Sequence, residues 1–179
     1  MHIALILFLI YLNIKSQTWK EIRKHAWGIV YVVFINSLYY YLFKEKKLWD
    51  LKDKRMKRNT LRALHLFIIM PLLILVFLSN MPQSLFKKAF HLMKWIFISL
   101  TFEFVGLKKA HAISFYHGWN LKWSSIIYVL MYTFSYLVTR MPIFTSVLSL
   151  GFIVFLLITF KIPIRKELLY GPFVRRPTK

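Results

Sequence analysis

The chain is written as six apolar runs parted by basic segments, and that alternation restricts its fold more than any motif within it. A bilayer has a hydrocarbon core ~30 Å thick, and a helix needs roughly 20 apolar residues to cross it. The runs fall at residues 2–14, 26–43, 63–79, 89–107, 121–138 and 143–160. With 58% hydrophobic side chains and a mean hydropathy of +0.53, the chain exceeds the roughly 45–50% apolar share of soluble domains. These features predict an all-α, polytopic transmembrane helix bundle of six spans over residues 1–164, followed by a basic tail at 165–179. The first run is short, so five spans plus an interfacial first segment is the alternative. That run has no basic n-region and no small-x-small cleavage site before Trp19, which argues against a signal peptide.

Two runs carry local complications. Pro71 lies inside the third, where its missing N–H frees the carbonyl four residues back and kinks the helix. The fourth has only Trp95 to Leu107 free of lysine, about 20 Å of helix at 1.5 Å per residue. It therefore has to begin near Ala89, with Lys94 reaching the surface along its aliphatic stem.

A formal charge of +20 in a soluble chain would point to nucleic acid, but here the 26 Lys and Arg sit mostly between the apolar runs. Nucleic acid is therefore not an expected partner; membrane lipids are, with anionic headgroups met by the basic 44–62 loop. With six spans, 18 basic residues fall on one side and 8 on the other. The positive-inside rule places the richer side, with both termini, in the cytoplasm. Gln17 is then outside and Lys54 inside. The densest run, "KEKKLWDLKDKRMKR" at 44–58, reads as an orientation signal on a solvated loop, with a lipid-responsive electrostatic switch as the sharper reading.

Within the fourth run, Ser99, Glu103, Gly106 and Ala110 step by four, three and four and so share a helical face. The fifth run carries a hydroxyl stripe of Ser124, Tyr128, Tyr132, Ser135 and Thr139, and the second places Gly28, Val32, Asn36 and Tyr40 together. Small residues on such faces admit a neighbouring helix, and a carboxylate there meets protein and not lipid. The candidate polar intramembrane site is therefore Glu103, Ser99, Asn36, Tyr128, Tyr132 and Ser135. A carboxylate at membrane depth costs ~2.5–3.5 kcal/mol on insertion scales and is read as functional by default. Two plainer roles compete: pairing with Lys108, about 7.5 Å along the axis, or packing glue between helices.

The string "SFYHGWNLKWSS" from Ser114 to Ser125 is expected to form an interfacial turn and anchor. Gly118 permits the turn after His117, Asn120 caps the fifth helix, and Trp119 and Trp123 share a face at the headgroups. Ligand stacking on these aromatics is the other reading. With no Cys, thiolate chemistry and disulfides are excluded. His111 and His117 are six apart and His65 and His91 are isolated, so no metal ligand set emerges, and no phosphate loop or nucleophile motif implies a cofactor or a catalytic residue.

The basic Trp19 segment, Leu48 and Trp49, the triplet Asn59 to Leu61, Pro71, Glu103 and above all "YHGWNLKWS" from Tyr116 to Ser124 give the chain a family likeness. It resembles small integral-membrane proteins of bacilli and clostridia, a family labelled only by a clostridial locus tag and without an assigned activity. Members often read Asn-His-Thr-Leu where this chain has Arg58, Asn59, Thr60 and Leu61, and many carry an acidic or amide residue at the place of Tyr128. The resemblance implies a multi-pass protein of a bacterial cytoplasmic membrane and marks Glu103 and the Gly118 to Asn120 turn as positions to watch. The expected function is that of a non-enzymatic structural or partner-binding membrane component, a protein partner or a second copy being open. The alternative is a small transporter or proton-coupled carrier using Glu103. An intramembrane enzyme has least behind it, since no nucleophile and base pair up in the sequence.

Overall fold

The computed structural model describes residues 1–53 and 56–163; the basic tail at 165–179, Lys54 and Arg55 lie outside the described residues. Six helices account for most of it: α1 (His2–Lys15), α2 (Ile22–Leu42), α3 (Arg58–Ser79), α4 (Leu85–Lys108), α5 (Leu121–Leu137) and α6 (Pro142–Thr159). Each covers one of the apolar runs. The starts of α2, α3 and α4 lie four or five residues earlier than the hydropathy boundary, because Lys and Arg are good helix formers and backbone hydrogen bonding does not stop where apolarity does. The early start of α4 gives the fourth run its full length.

Three helices, α3, α4 and α6, are long and apolar enough to cross a membrane. The α1 helix is apolar but has 14 residues, about 21 Å of rise. The α2 helix has 21 residues but begins with Arg23, Lys24 and His25 and carries Asn36 and Ser37. The α5 helix has 17 residues.

The expectation of an all-α fold needs one correction. Two short strands, β1 (Trp49–Leu51) and β2 (Ile113–Phe115), pair antiparallel with Asp50 opposite Ser114. Further backbone bonds, Tyr116 N–H to Leu48 O and Lys52 N–H to Ala112 O, both 2.8 Å, lengthen the ladder. Tyr39 on α2 secures it: its ring stacks on Trp49 at 5.1 Å and its hydroxyl meets the Leu48 and Trp49 backbone. The 44–58 segment is thus not simply a solvated loop. Leu48, Asp50 and Leu51 are buried, because paired backbone and a satisfied carboxylate let this stretch enter the interior.

At the same end, the His2 ring bonds to Lys52 O at 3.1 Å and Lys46 donates to Phe160 O, beyond α6, at 2.7 Å. The chain's start, both strands and the close of α6 therefore meet at one end. The opposite end holds the Asn13–Thr18 turn, whose side chains hydrogen-bond to each other, and Lys88, which donates to the Tyr136 hydroxyl on α5 at 3.1 Å.

The core lies where α1, α2, α3 and α5 pack, around Leu9, Val32, Ile74, Phe77 and Tyr132. Gly28 sets the closest approach: a Cβ there would stand 2.6 Å from Ser135 O and 2.7 Å from Leu78 Cδ1. The α3 helix contains a π-turn at His65–Ile69, in which the Met70 N–H reaches back five residues to His65 O. Pro71 accounts for its place, since it cannot donate to Phe67 and the ladder widens around the gap. The kink expected at Pro71 is realised as this bulge.

Candidate functional site

Helical spacing and one cap place the polar groups. The face of α4 bearing Ser99, Glu103 and Gly106 is buried against α5 and β2. Asn120 holds the start of α5: its Oδ1 accepts the N–H groups of Lys122 at 2.9 Å and Trp123 at 3.3 Å. The preceding turn closes with a 3.0 Å bond from Trp119 N–H to Tyr116 O, and both central residues, His117 (φ 54°) and Gly118 (φ 81°), are left-handed. This turn delivers Trp119 and Ser124 to the interior.

There, the Ser124 hydroxyl donates to Glu103 Oε1 at 2.9 Å, while the Trp119 indole N–H donates to Ser124 Oγ at 3.1 Å. One helical turn away, Ser99 and Tyr132 share a 2.6 Å hydrogen bond between α4 and α5. Glu103 is 7% exposed, yet its second oxygen, Oε2, has no hydrogen-bond partner. The Tyr128 hydroxyl is a hydrogen-bonding neighbour of the carboxyl, although no well-formed bond reaches Oε2.

Glu103 borders a cavity of about 130 Å³ to which α1 to α5 and both strands contribute walls. Ser99, Asn36 and Tyr128 also line it, as do His2 and His65, but the greater part is apolar: Leu5, Phe8, Leu73, Trp95, Phe102 and their neighbours. His65 Nδ1 meets the Tyr40 hydroxyl at 3.2 Å, and Asn36 donates back to Val32 O on its own helix. A second cavity of about 100 Å³ lies between α2, α5 and α6. Trp49, Trp119 and Asn36 border both.

Of the residues expected in a polar interior, Glu103, Ser99, Asn36 and Tyr128 face one cavity, and Tyr132 is tied to it through Ser99. Ser135 is elsewhere: it is fully buried at the Gly28 crossing, with its hydroxyl turned onto Tyr132 O. Ala110 and Thr139 lie beyond the ends of their helices and are exposed. Lys108 forms no ion pair with Glu103; the ion pairs between described residues join Glu21 and Asp50 to their neighbours.

The interfacial anchor divides in two. His117, Gly118 and Asn120 are exposed, but Trp119 is buried, stacked with Trp123 and packed on Phe160 at 5.6 Å. It is a cavity wall and not a headgroup-facing ring, because its N–H finds a better partner in buried Ser124 than at the surface.

Sequence reasoning missed three groups. Ser124 was legible only as part of a stripe, although its link to Glu103 is the one serine–carboxylate hydrogen bond of the site. Asn13 on α1 donates to Leu9 O and, across to α3, to Leu72 O at 3.1 Å; a single Asn inside an apolar run was the available signal. Asp50 is buried and hydrogen-bonded by Lys47 at 2.9 Å and Arg62 at 3.1 Å, with Arg58 at 3.4 Å. It was hidden in a run of opposite charge. No three His, Asp or Glu among the described residues are grouped to hold a metal ion. Comparison with protein-family models, with curated proteins and with solved structures gives no match.

Proposed function

We propose that the chain is a multi-pass integral membrane protein of a bacterial cytoplasmic membrane. In this reading it is non-enzymatic, its termini are cytoplasmic, and it binds a small molecule in the cavity beside Glu103. The apolar helices support the membrane setting. The meeting of both strand segments and the end of α6 at one end agrees with the side to which the charge count assigns them.

The observation that carries the binding reading is the buried, unpartnered Glu103 Oε2 on the border of a cavity. Leaving a buried polar atom without a partner costs about 1–3 kcal/mol, more if charged. A group retained purely as glue would spend both oxygens on its neighbours. The glue role has its own support, in the Ser99–Tyr132 bond, and that pair is assigned to assembly. In this reading Ser124 holds Glu103 in place, its oxygen also accepting the Trp119 N–H.

The test is a thermal-unfolding screen of the purified protein in lipid nanodiscs against small polar-headed apolar molecules, run beside Leu73→Phe, which fills the cavity from α3. Stabilisation of the wild type and not of the filled variant is expected. A library that stabilises neither, or both alike, overturns the reading.

A further inference from the structure

We infer that the cavity takes a small amphipathic primary amine, its ammonium on Glu103 Oε2 and its apolar part along the aromatic wall. This inference rests on the binding reading above and names its ligand class.

The hydroxyl and amide donors inside the cavity are mostly committed, the Tyr128 hydroxyl beside the carboxyl excepted. Ser124 has one proton and gives it to Oε1. Ser99 and Tyr132 are occupied with each other, and Asn36 Nδ2 with Val32 O. His2 Nε2 meets Lys52 O and His65 Nδ1 meets Tyr40. No ion pair reaches Glu103 among the described residues. The protein thus gives the carboxyl a neutral hydroxyl neighbour and no positive charge, and a ligand that brings both a donor and a positive charge to Oε2 offsets the burial of a carboxylate. The cavity wall offers the rings of Trp95, Phe102, Trp119 and Tyr128, and aromatic rings can attract a cation by their faces while their bulk suits a hydrocarbon.

Size narrows the class further. The cavity measures about 130 Å³, and an apolar cavity of roughly 150 Å³ admits benzene. A chain or ring of about six carbons fits this space, and a diacyl lipid does not.

Three probes of equal chain separate charge from hydrogen bonding: hexylamine, hexan-1-ol and hexyltrimethylammonium. Binding is read by tryptophan fluorescence, Trp49, Trp95 and Trp119 lining the cavity, and by thermal stabilisation. Hexylamine is expected to bind about tenfold more tightly than either of the others, the margin of a charge-assisted over a neutral hydrogen bond. Glu103→Gln should remove that margin while leaving hexanol binding within about twofold, since the amide keeps the shape and a neutral hydrogen bond. The comparison among probes on the wild type stands even if the variant fails to fold. Hexanol binding as well as hexylamine, both abolished by Leu73→Phe, overturns the amine assignment and leaves the cavity as a binding site. A library ligand found while no hexyl probe binds also overturns it. Failure of every probe and of the library removes the binding reading itself.

Discussion

Asp50 is the residue at which the basic end of the molecule is fastened. Burial by itself raises a carboxyl's pKa, but here the hydrogen bonds and charges of Lys47 and Arg62 outweigh it and hold Asp50 below the usual carboxylate range. The stability it contributes is thus fully present above its unfolded value, about pH 3.9, and is lost as pH falls from there through the lower folded value. Asp50→Asn is expected to cost about 2–3 kcal/mol at pH 7, near the lower end for a broken buried pair because Arg58 is largely exposed. Denaturation curves of the variant should also depend less on pH below about 4 than those of the wild type. A variant as stable as the wild type at pH 7 would make Asp50 a bystander. At this scale Glu103 was legible, because a carboxylate between Phe102 and Phe104 is conspicuous. Asp50 was not, because one of three acids among nine basic residues at 44–62 looks like any member of a charged loop. What distinguishes it is a pairing with β2 some sixty residues later, which no local pattern encodes.

Among the elements, the helices were legible because their apolar runs are long and separated by charge, and Pro71 announced the irregularity in α3. The β1–β2 ladder was not, since three-residue strands carry no usable period and their partners lie in different loops. Helix contacts were partly legible from small residues, and two glycines show why a small residue alone does not mark a crossing. Gly28 faces Ser135 backbone and Leu78, whereas nothing lies within 4 Å of a Cβ at Gly151. Gly28→Ala should destabilise by about 1–3 kcal/mol through overpacking, because the carbonyl it meets belongs to the α5 backbone and cannot rotate away. Gly151→Ala, exposed on α6, should be neutral or stabilising by up to about 1 kcal/mol through helix propensity. Paired thermal melts in one lipid composition check both, and equal effects at the two sites would contradict the α2–α5 crossing.

For the molecule as a whole, the meeting of the two strand segments with the chain's start and the close of α6 was readable from the alternation of apolar runs, because successive helices reverse the chain's direction. The cavity was not readable. Its walls come from five helices and two strands, and its character depends on which of several polar faces turn toward each other. The sequence placed Ser135 with the rest by spacing, and the structure sets it apart because the Gly28 crossing closes that part of α5. What remains open to a ligand is the half nearer β1 and β2, with Glu103 at its edge and one oxygen unspent. The most direct test compares thermal unfolding of wild type, Glu103→Gln and Glu103→Ala in the same lipid nanodiscs. The account predicts Gln to be at least as stable as wild type, since it can still accept from Ser124 and no longer buries an ionisable group, with Ala lower for its lost packing. Early unfolding of both variants would contradict it and make Glu103 a structural tie between α4 and α5.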